Sequence, residues 1–115
     1  MRIKSGLWVS AYLRRLGSIP VPAVVLKRGD ADAGAIFIKV GLLDGRALVL
    51  RPALSMAGED LPERRWVHAL KGGIGQESDA DAYLARQREF DADLWIIEVE
   101  DGQGRHFLDD AVEEE

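Results

Sequence analysis

The chain has 115 residues, of which 47% are hydrophobic, and it contains no cysteine. This length fits a single domain, and the lack of cysteine excludes disulfides, thiolate metal sites and cysteine nucleophiles. The formal net charge is −5, but the final seven residues, 109–115, carry five acids and no base, which leaves 15 acidic and 15 basic residues elsewhere. A body with balanced charge argues against nucleic-acid binding, which requires a net basic face.

The first half of the chain predicts one helix and three strands. Apolar side chains recur with helical spacing from Leu7 to Leu16, with Ser5 as the N-cap and Gly17 as the stop. Runs rich in β-branched and aromatic residues then predict strands over residues 23–28, 35–40 and 47–51. Short turns at Gly29–Gly34 and Asp44-Gly45 separate these strands, so we expect an antiparallel meander.

The second half predicts a further helix between strands. A long loop over 53–62 leads into a strand over 64–70, and a glycine-rich loop follows at 71–75. Ser78 is a suitable N-cap for a helix over Asp79–Phe90, whose inner stripe contains Ala80, Tyr83, Leu84, Gln87 and Phe90. Strands over 94–100 and 105–108 complete the domain, and the acidic segment 109–115 is expected to be a frayed tail.

Together these elements predict an α+β fold of one domain over residues 1–108, followed by the acidic tail 109–115. The order is α-β-β-β-β-α-β-β, and the largely antiparallel or mixed sheet has five to six strands. Because two amphipathic helices need a common apolar surface, we expect two layers, with both helices on one face of the sheet. The residues expected to be mainly buried are Trp8, Tyr12, Leu16, Val25, Phe37, Ile38, Leu48, Leu50, Trp66, Tyr83, Leu84, Trp95 and Ile97.

Several motifs suggest ligand chemistry, but each has a simpler explanation. The glycine-rich loop 71–75 has the outline of a phosphate cradle, yet it lacks the known phosphate-binding spacings and is followed by acids. Asp-Ala-Asp occurs at 30–32, 79–81 and 91–93, where two carboxylates supply too few oxygens for a hard cation. Cap and turn chemistry accounts for these aspartates.

The two histidines, His68 and His106, are far apart in the sequence. A zinc site would need both of them and a carboxylate, brought together by the fold. Solvent-facing or hydrogen-bonded histidines are the commoner outcome. The sequence therefore predicts no catalytic residue, no metal site and no cofactor.

Two functional hypotheses stay open. The first is a non-enzymatic interaction or regulatory module, because no catalytic motif converges and an open sheet leaves edges for a homodimer or protein partner. The alternative is a small enzyme or ligand-binding protein with its site on the Arg65–His68 strand and the Gly29–Gly34 turn, where aromatic and basic side chains can stack and pair with a ligand. Its candidate ligand-binding residues are Arg65, Trp66, His68, Asp30 and Asp32.

A deep pocket lined by His68, Arg65 and an acidic turn residue would favour the alternative, and a shallow surface would favour the module. The Gly29–Gly34 turn itself is predicted to be a structural hairpin whose carboxylates cap backbone N–H groups or pair with arginines. The chain has no apolar run of about 18 residues, and its first residues lack the pattern of a signal peptide. We therefore expect a cytoplasmic protein with no membrane or nucleic-acid partner.

Four segments carry a family resemblance. They are Leu7-Trp8-Val9-Ser10-Ala11-Tyr12-Leu13-Arg14-Arg15, Arg28-Gly29-Asp30-Ala31-Asp32-Ala33-Gly34-Ala35, Glu63-Arg64-Arg65-Trp66, and Asp93-Leu94-Trp95 with Glu98-Val99-Glu100. This combination resembles the family called domain of unknown function 1491, small proteins found chiefly in alphaproteobacteria. The resemblance covers nearly the whole chain and implies a stand-alone bacterial domain. It implies no activity, cofactor or site residue.

Overall fold

Two helices, seven strands and one short 3₁₀ helix make up the computed structural model, which describes residues 2–114. The helices are α1 (Ser5–Ser18) and α2 (Glu77–Phe90), and the 3₁₀ helix is Asp109–Ala111. Neither α-helix in this part of the chain has the length and apolar character needed to cross a membrane. The strands are β1 (Ala23–Lys27), β2 (Ile36–Gly41), β3 (Arg46–Pro52), β4 (Trp66–His68), β5 (Ile74–Gln76), β6 (Trp95–Glu100) and β7 (Val112–Glu113).

All seven strands belong to one mixed sheet with the order β1-β6-β2-β3-β4-β7, and β5 pairs with β3. Most neighbours are antiparallel, but β6 runs parallel to β2 and β7 runs parallel to β4. The α+β class, the single domain and the mixed sheet with two helices are confirmed. The meander expected for the first three strands is wrong, because β6 lies between β1 and β2; the β2–β3 hairpin is present and turns through Gly45 at φ 90°.

The two helices pack on opposite faces of the sheet, so the layering differs from the two layers expected. Alternate residues of each strand point to opposite faces. Ile36 and Ile38 of β2 pack in the cluster that contains Val9, Tyr12 and Leu16 of α1. The cluster on the other face contains Phe37 of β2 with Ala80 and Leu84 of α2. Each helix therefore covers its own apolar surface, and the central strands are buried on both sides.

Most of the predicted core is buried. Only Trp8, Val25 and Tyr83 of the predicted set are half-buried. Phe90, predicted on the inner stripe of α2, is 85% exposed, because α2 ends at this residue.

The connection from β1 to β2 is not a hairpin, so the hairpin predicted at Gly29–Gly34 is wrong. The connection passes over the start of β6, and a Cβ atom on either Gly29 or Gly34 would lie 2.3 Å from the backbone oxygen of Asp93. Only glycine allows two backbones to approach this closely. The capping role expected for the turn carboxylates is confirmed at Asp30, whose Oδ2 accepts a hydrogen bond from the Ala33 N–H at 2.8 Å.

A buried lysine holds α2 to the sheet. Lys39 of β2 is 3% exposed, and its Nζ lies 2.9 Å from Glu77, 2.8 Å from Asp81 and 3.1 Å from Glu98. The ammonium group has three N–H donors, so the three carboxylates satisfy all of them. Burial opposes the charge, but the three hydrogen bonds outweigh it and raise the pKa of Lys39 above its ordinary value.

The end of the chain differs from the prediction in two ways. Residues 105–108 form no strand, and the acidic segment is not frayed over the residues that the structure describes. Val112 and Glu113 pair in parallel with β4, and Val112 is only 4% exposed. Burial of one apolar side chain within an acidic run brings this segment back to the sheet, beside His68.

Candidate functional site

A cleft of about 570 Å³ opens on the α1 face of the sheet, where β3, β4, β5 and the C-terminal segment meet. We call it the histidine cleft. Its wall has apolar side chains, both histidines of the chain, two glycines of the 71–75 loop and two acidic residues of the C-terminal segment. The lining residues are Leu48, His68, Gly72, Gly73, Ile74, Gly104, Arg105, His106, Phe107, Asp109 and Glu114.

The two histidines converge on the carboxylate of Glu114. His68 Nε2 lies 2.8 Å from Glu114 Oε2, and His106 Nε2 lies 3.2 Å from Glu114 Oε1. An ionised carboxylate accepts hydrogen bonds and donates none, so each imidazole donates its Nε2–H. One carboxylate is thus held by two donors from elements 38 residues apart in the chain.

Neighbouring groups fix the orientation of His106. Its Nδ1 accepts a hydrogen bond from the Leu108 N–H at 3.0 Å, which leaves the proton on Nε2. Its backbone oxygen accepts a hydrogen bond from the buried Tyr12 hydroxyl at 2.7 Å. Burial raises the pKa of Tyr12, so the hydroxyl keeps its proton. Helix α1 therefore positions the backbone of the loop that carries His106.

The loop that carries His106 is held in an unusual backbone conformation. Phe107 and Asp109 have φ values of 61° and 55°, in the left-handed region that non-glycine residues seldom occupy. Arg105 stabilises the start of this loop by donating two side-chain hydrogen bonds to the buried Asp101, at 3.0 and 2.8 Å. Strained residues of this kind persist only when their surroundings hold them, and they are concentrated at functional sites.

The hydrogen bond from His68 is the main reason why the pKa of Glu114 lies below its ordinary value; partial burial opposes the shift, and His106 adds to it. The carboxylate therefore stays ionised at neutral pH. On the other side of the His68 ring, Nδ1 is buried without a hydrogen-bond partner and faces Gly73, where a Cβ would lie 3.7 Å away. Within residues 2–114, no group of three His, Asp or Glu side chains is arranged to hold a metal ion. Each Nε2 is directed at a different oxygen of one carboxylate, and the site is suited to an oxyanion.

The structure does not bring the five predicted ligand-binding residues together. His68 lines the histidine cleft, but Arg65 does not, and its Nε lies 3.8 Å from Glu113. Trp66 is 2% exposed and donates its indole N–H to the Ile36 oxygen at 2.9 Å, which is a structural role. Asp30 and Asp32 lie in the β1–β2 connection, away from the cleft.

In the sequence, His68 and His106 with a carboxylate were considered only as a zinc site, and neither Glu114 nor Phe107 was predicted to lie in a cleft with them. Glu114 stands among acids that look like a solvated tail, and no local periodicity links it to a histidine. The one available signal was Val112, an apolar residue within the acidic run that could mark a segment returning to the core.

A family described as "Protein of unknown function (DUF1491)" matches the chain over residues 3–109. The chain belongs to the DUF1491 family. The resemblance found in the sequence is thereby confirmed. No curated protein matches the chain.

Solved structures agree with this assignment. A crystal structure of a DUF1491 family protein from Caulobacter crescentus is 36% identical, with a TM-score of 0.81 over 99% of this chain and 100% of that one. An NMR structure of a DUF1491 family protein from the same bacterium is also 36% identical, with a TM-score of 0.80 over 99% of both chains. A solution structure of a protein from A. tumefaciens is 38% identical, covers 87% of this chain and 86% of that one, and has a TM-score of 0.69. These relatives come from alphaproteobacteria.

Proposed function

We propose that this protein binds a small molecule with a carboxylate and an apolar body in the histidine cleft. The observation that carries the proposal is the pair of Nε2–H donors of His68 and His106, which hold one carboxylate at 2.8 and 3.2 Å. In this structure the chain's own Glu114 supplies that carboxylate. A ligand would take its place.

The chemistry of the wall defines the ligand further. Leu48, Ile74 and Phe107 supply apolar surface next to the two imidazoles. Small-molecule sites combine such surface with a few fixed polar groups, and cavities of roughly 300–1,000 Å³ are typical. The cleft of about 570 Å³ lies within this range. The proposed role is binding, since both imidazole donors are engaged with one acceptor.

The interaction module keeps one specific observation in its favour. Strand β1 lies at the edge of the sheet, and its Val24 and Leu26 side chains are 53% and 50% exposed. An edge strand with exposed apolar side chains is able to pair with the same strand of a second copy. Sedimentation equilibrium of the protein and of a Leu26→Lys variant tests this: a dimer lost in the variant supports edge pairing, and a monomer at all concentrations contradicts it.

The ligand-binding proposal is tested with hexanoate as the probe and hexanol as its uncharged counterpart. The key variant is Glu114→Ala, which removes the internal carboxylate. We expect hexanoate to bind this variant about tenfold more tightly than the natural chain, the gain expected if Glu114 occupies the site roughly nine-tenths of the time. Glu113→Ala is the matched control, because Glu113 pairs with Arg65 outside the cleft.

A second variant tests the donor. His106→Phe in the Glu114→Ala background keeps an aromatic ring but removes the Nε2–H donor, and we expect hexanoate affinity to fall by about tenfold, the loss of one hydrogen bond to a charged group. Isothermal titration calorimetry measures each affinity. Equal affinity for hexanoate and hexanol would contradict the proposal, and so would a gain in Glu113→Ala as large as that in Glu114→Ala.

A further inference from the structure

A second cleft, on the opposite face of the sheet, gathers three arginines. It lies between α2 and the 53–62 loop and has a volume of about 230 Å³. Arg2 comes from the N-terminal segment, Arg51 from the end of β3, and Arg64 from the residues before β4. Tyr83 and Gln87 of α2 also line it. We call it the arginine cleft.

The positive charge of this cleft is poorly balanced. Asp60 is the one carboxylate in its lining, and it lies 3.7 Å from Arg2, at the long end of an ion pair. Within residues 2–114, the Arg51 side chain makes no ion pair and no hydrogen bond. Three guanidinium groups therefore face one carboxylate, in a chain whose net charge is −5.

Arg64 is held in place by neutral groups. Its Nη2 donates to the Ile3 oxygen at 2.8 Å and to the Ser5 hydroxyl at 3.0 Å, while its Nε is buried without a partner. Burial, followed by repulsion from Arg2, lowers the pKa of Arg64, and attraction to Asp60 opposes this. The backbone and a serine thus fix a guanidinium group that makes no ion pair within residues 2–114.

We propose that the arginine cleft binds the phosphate group of a small phosphate monoester. Guanidinium groups present forked N–H donors that match the oxygens of phosphate. A phosphate monoester carries a charge of about −1.5 to −2 at neutral pH, which matches three arginines and one aspartate better than a monocarboxylate does. The Tyr83 hydroxyl and the Gln87 amide add hydrogen-bonding groups, and Phe37 contributes apolar surface to the wall.

This site is independent of the histidine cleft. Arg51 points to the α2 face of β3, while Leu48 and Leu50 of the same strand pack on the α1 face. The two sites are thus separated by the sheet, and each can be tested without the other.

The experiment is an NMR titration of the full chain with inorganic phosphate, against acetate and chloride at matched ionic strength. We expect saturable shifts of the backbone amides of Arg2, Arg51 and Arg64 with phosphate. Arg51→Gln should weaken phosphate affinity by about tenfold, as expected for the loss of one charge-assisted contact. The fold should be retained, because the Arg51 side chain is exposed.

Arg88→Gln is the matched control, since Arg88 is exposed on α2 and does not line the cleft. Its phosphate affinity should stay within about twofold of the natural chain, which is the size of a long-range charge effect after screening. Three results would each overturn the proposal: no saturable binding at millimolar phosphate, equal weakening in the two variants, or acetate affinity equal to that of phosphate.

Discussion

Replacing Lys39 with methionine tests the charged contact that anchors α2 to the sheet. Methionine keeps the length and apolar stem of lysine but removes the ammonium group. Glu77, Asp81 and Glu98 then lose their shared partner and are left facing one another. The substitution therefore converts an attractive cluster into three like charges in a confined space.

The loss of unfolding free energy in Lys39→Met depends on how exposed to water the three carboxylates are. Removing one partner of a buried ion pair costs about 3–5 kcal/mol. Lys39 is only 4% exposed in its side chain, but Glu77, Asp81 and Glu98 are 48%, 60% and 24% exposed, so each can turn partly toward solvent. We therefore expect the lower end, about 3 kcal/mol. This corresponds to a fall in Tm of roughly 10 °C for a domain of this size.

Urea denaturation measures the free energy of unfolding, and Lys71→Met, at an exposed loop position, is the control. Glu98→Gln should cost more than Asp81→Asn, because Glu98 is the less exposed of the two partners. The raised pKa of Lys39 also has a pH consequence. Its contribution is complete below the unfolded value of about 10.4 and is lost as pH rises through the higher folded value. If the free energy of unfolding of Lys39→Met lay within about 1 kcal/mol of that of the natural chain, the Lys39 cluster would not be what holds α2 to the sheet.

Four further variants each test one local feature of the fold. Gly29→Ala should destabilise by about 3 kcal/mol, because its Cβ would lie 2.3 Å from a backbone oxygen. Gly17 lies on α1 with open space around it, so Gly17→Ala should raise the free energy of unfolding by about 0.5–1 kcal/mol. Equal urea midpoints for the Gly29→Ala and Gly17→Ala variants would contradict the steric explanation. Tyr12→Phe should cost about 1 kcal/mol and weaken hexanoate binding to Glu114→Ala, measured by calorimetry; unchanged affinity would show that Tyr12 does not position His106. Arg105 holds the pKa of Asp101 below its ordinary value. The ionised carboxylate therefore stabilises the folded protein above the unfolded pKa of about 3.9, and this contribution is lost as pH falls through the lower pKa of the folded state. The free energy of unfolding of the natural chain should therefore fall more steeply with decreasing pH than that of the Asp101→Asn variant. Parallel curves of unfolding free energy against pH would refute this.

Local signals explain what the sequence predicted well. The spacing of Trp8, Tyr12 and Leu16 depends only on helical periodicity, and α1 covers the expected residues. Its ends differ from the prediction, because Ser5 is the first helical residue and not the N-cap, and the helix continues through Gly17 to Ser18. The Asp44-Gly45 turn likewise specifies the β2–β3 hairpin through its own backbone conformation. Both features are decided within a few residues, so no knowledge of distant partners is needed.

The insertion of β6 between β1 and β2 could not be read in the same way. Strand pairing depends on which edges meet, and a turn of six residues such as Gly29–Gly34 fits a hairpin or a passage over another strand. Apolar residues of β2 lie on both faces of the strand and are interrupted only by Lys39, a pattern typical of a strand covered on both sides: Ile36, Phe37, Ile38 and Val40. Two amphipathic helices can share one apolar surface or cover one face each, so the helix patterns alone do not decide the layering.

The histidine cleft was even less accessible from the sequence. His68 is a candidate ligand-binding residue from the sequence because aromatic and basic residues surround it on its strand. Its partners His106 and Glu114 come from a loop and from a segment expected to be solvated. Three separate returns of the chain to one place create the site. This convergence depends on the topology of the fold, because no sequence motif in any of the three segments indicates that it lies next to the other two.

The most direct test of the ligand-binding account is the side-chain ¹⁵N spectrum of the two histidines in the Glu114→Ala variant during titration with hexanoate. We expect the Nε2 signals of both His68 and His106 to shift together along one saturation curve, with magnetisation transfer between hexanoate methylenes and the Ile74 and Phe107 side chains. A shift of the Nε2 signal of only one histidine would show that the two imidazoles do not form a shared carboxylate site. Magnetisation transfer from hexanoate only to residues outside the histidine cleft would show the same.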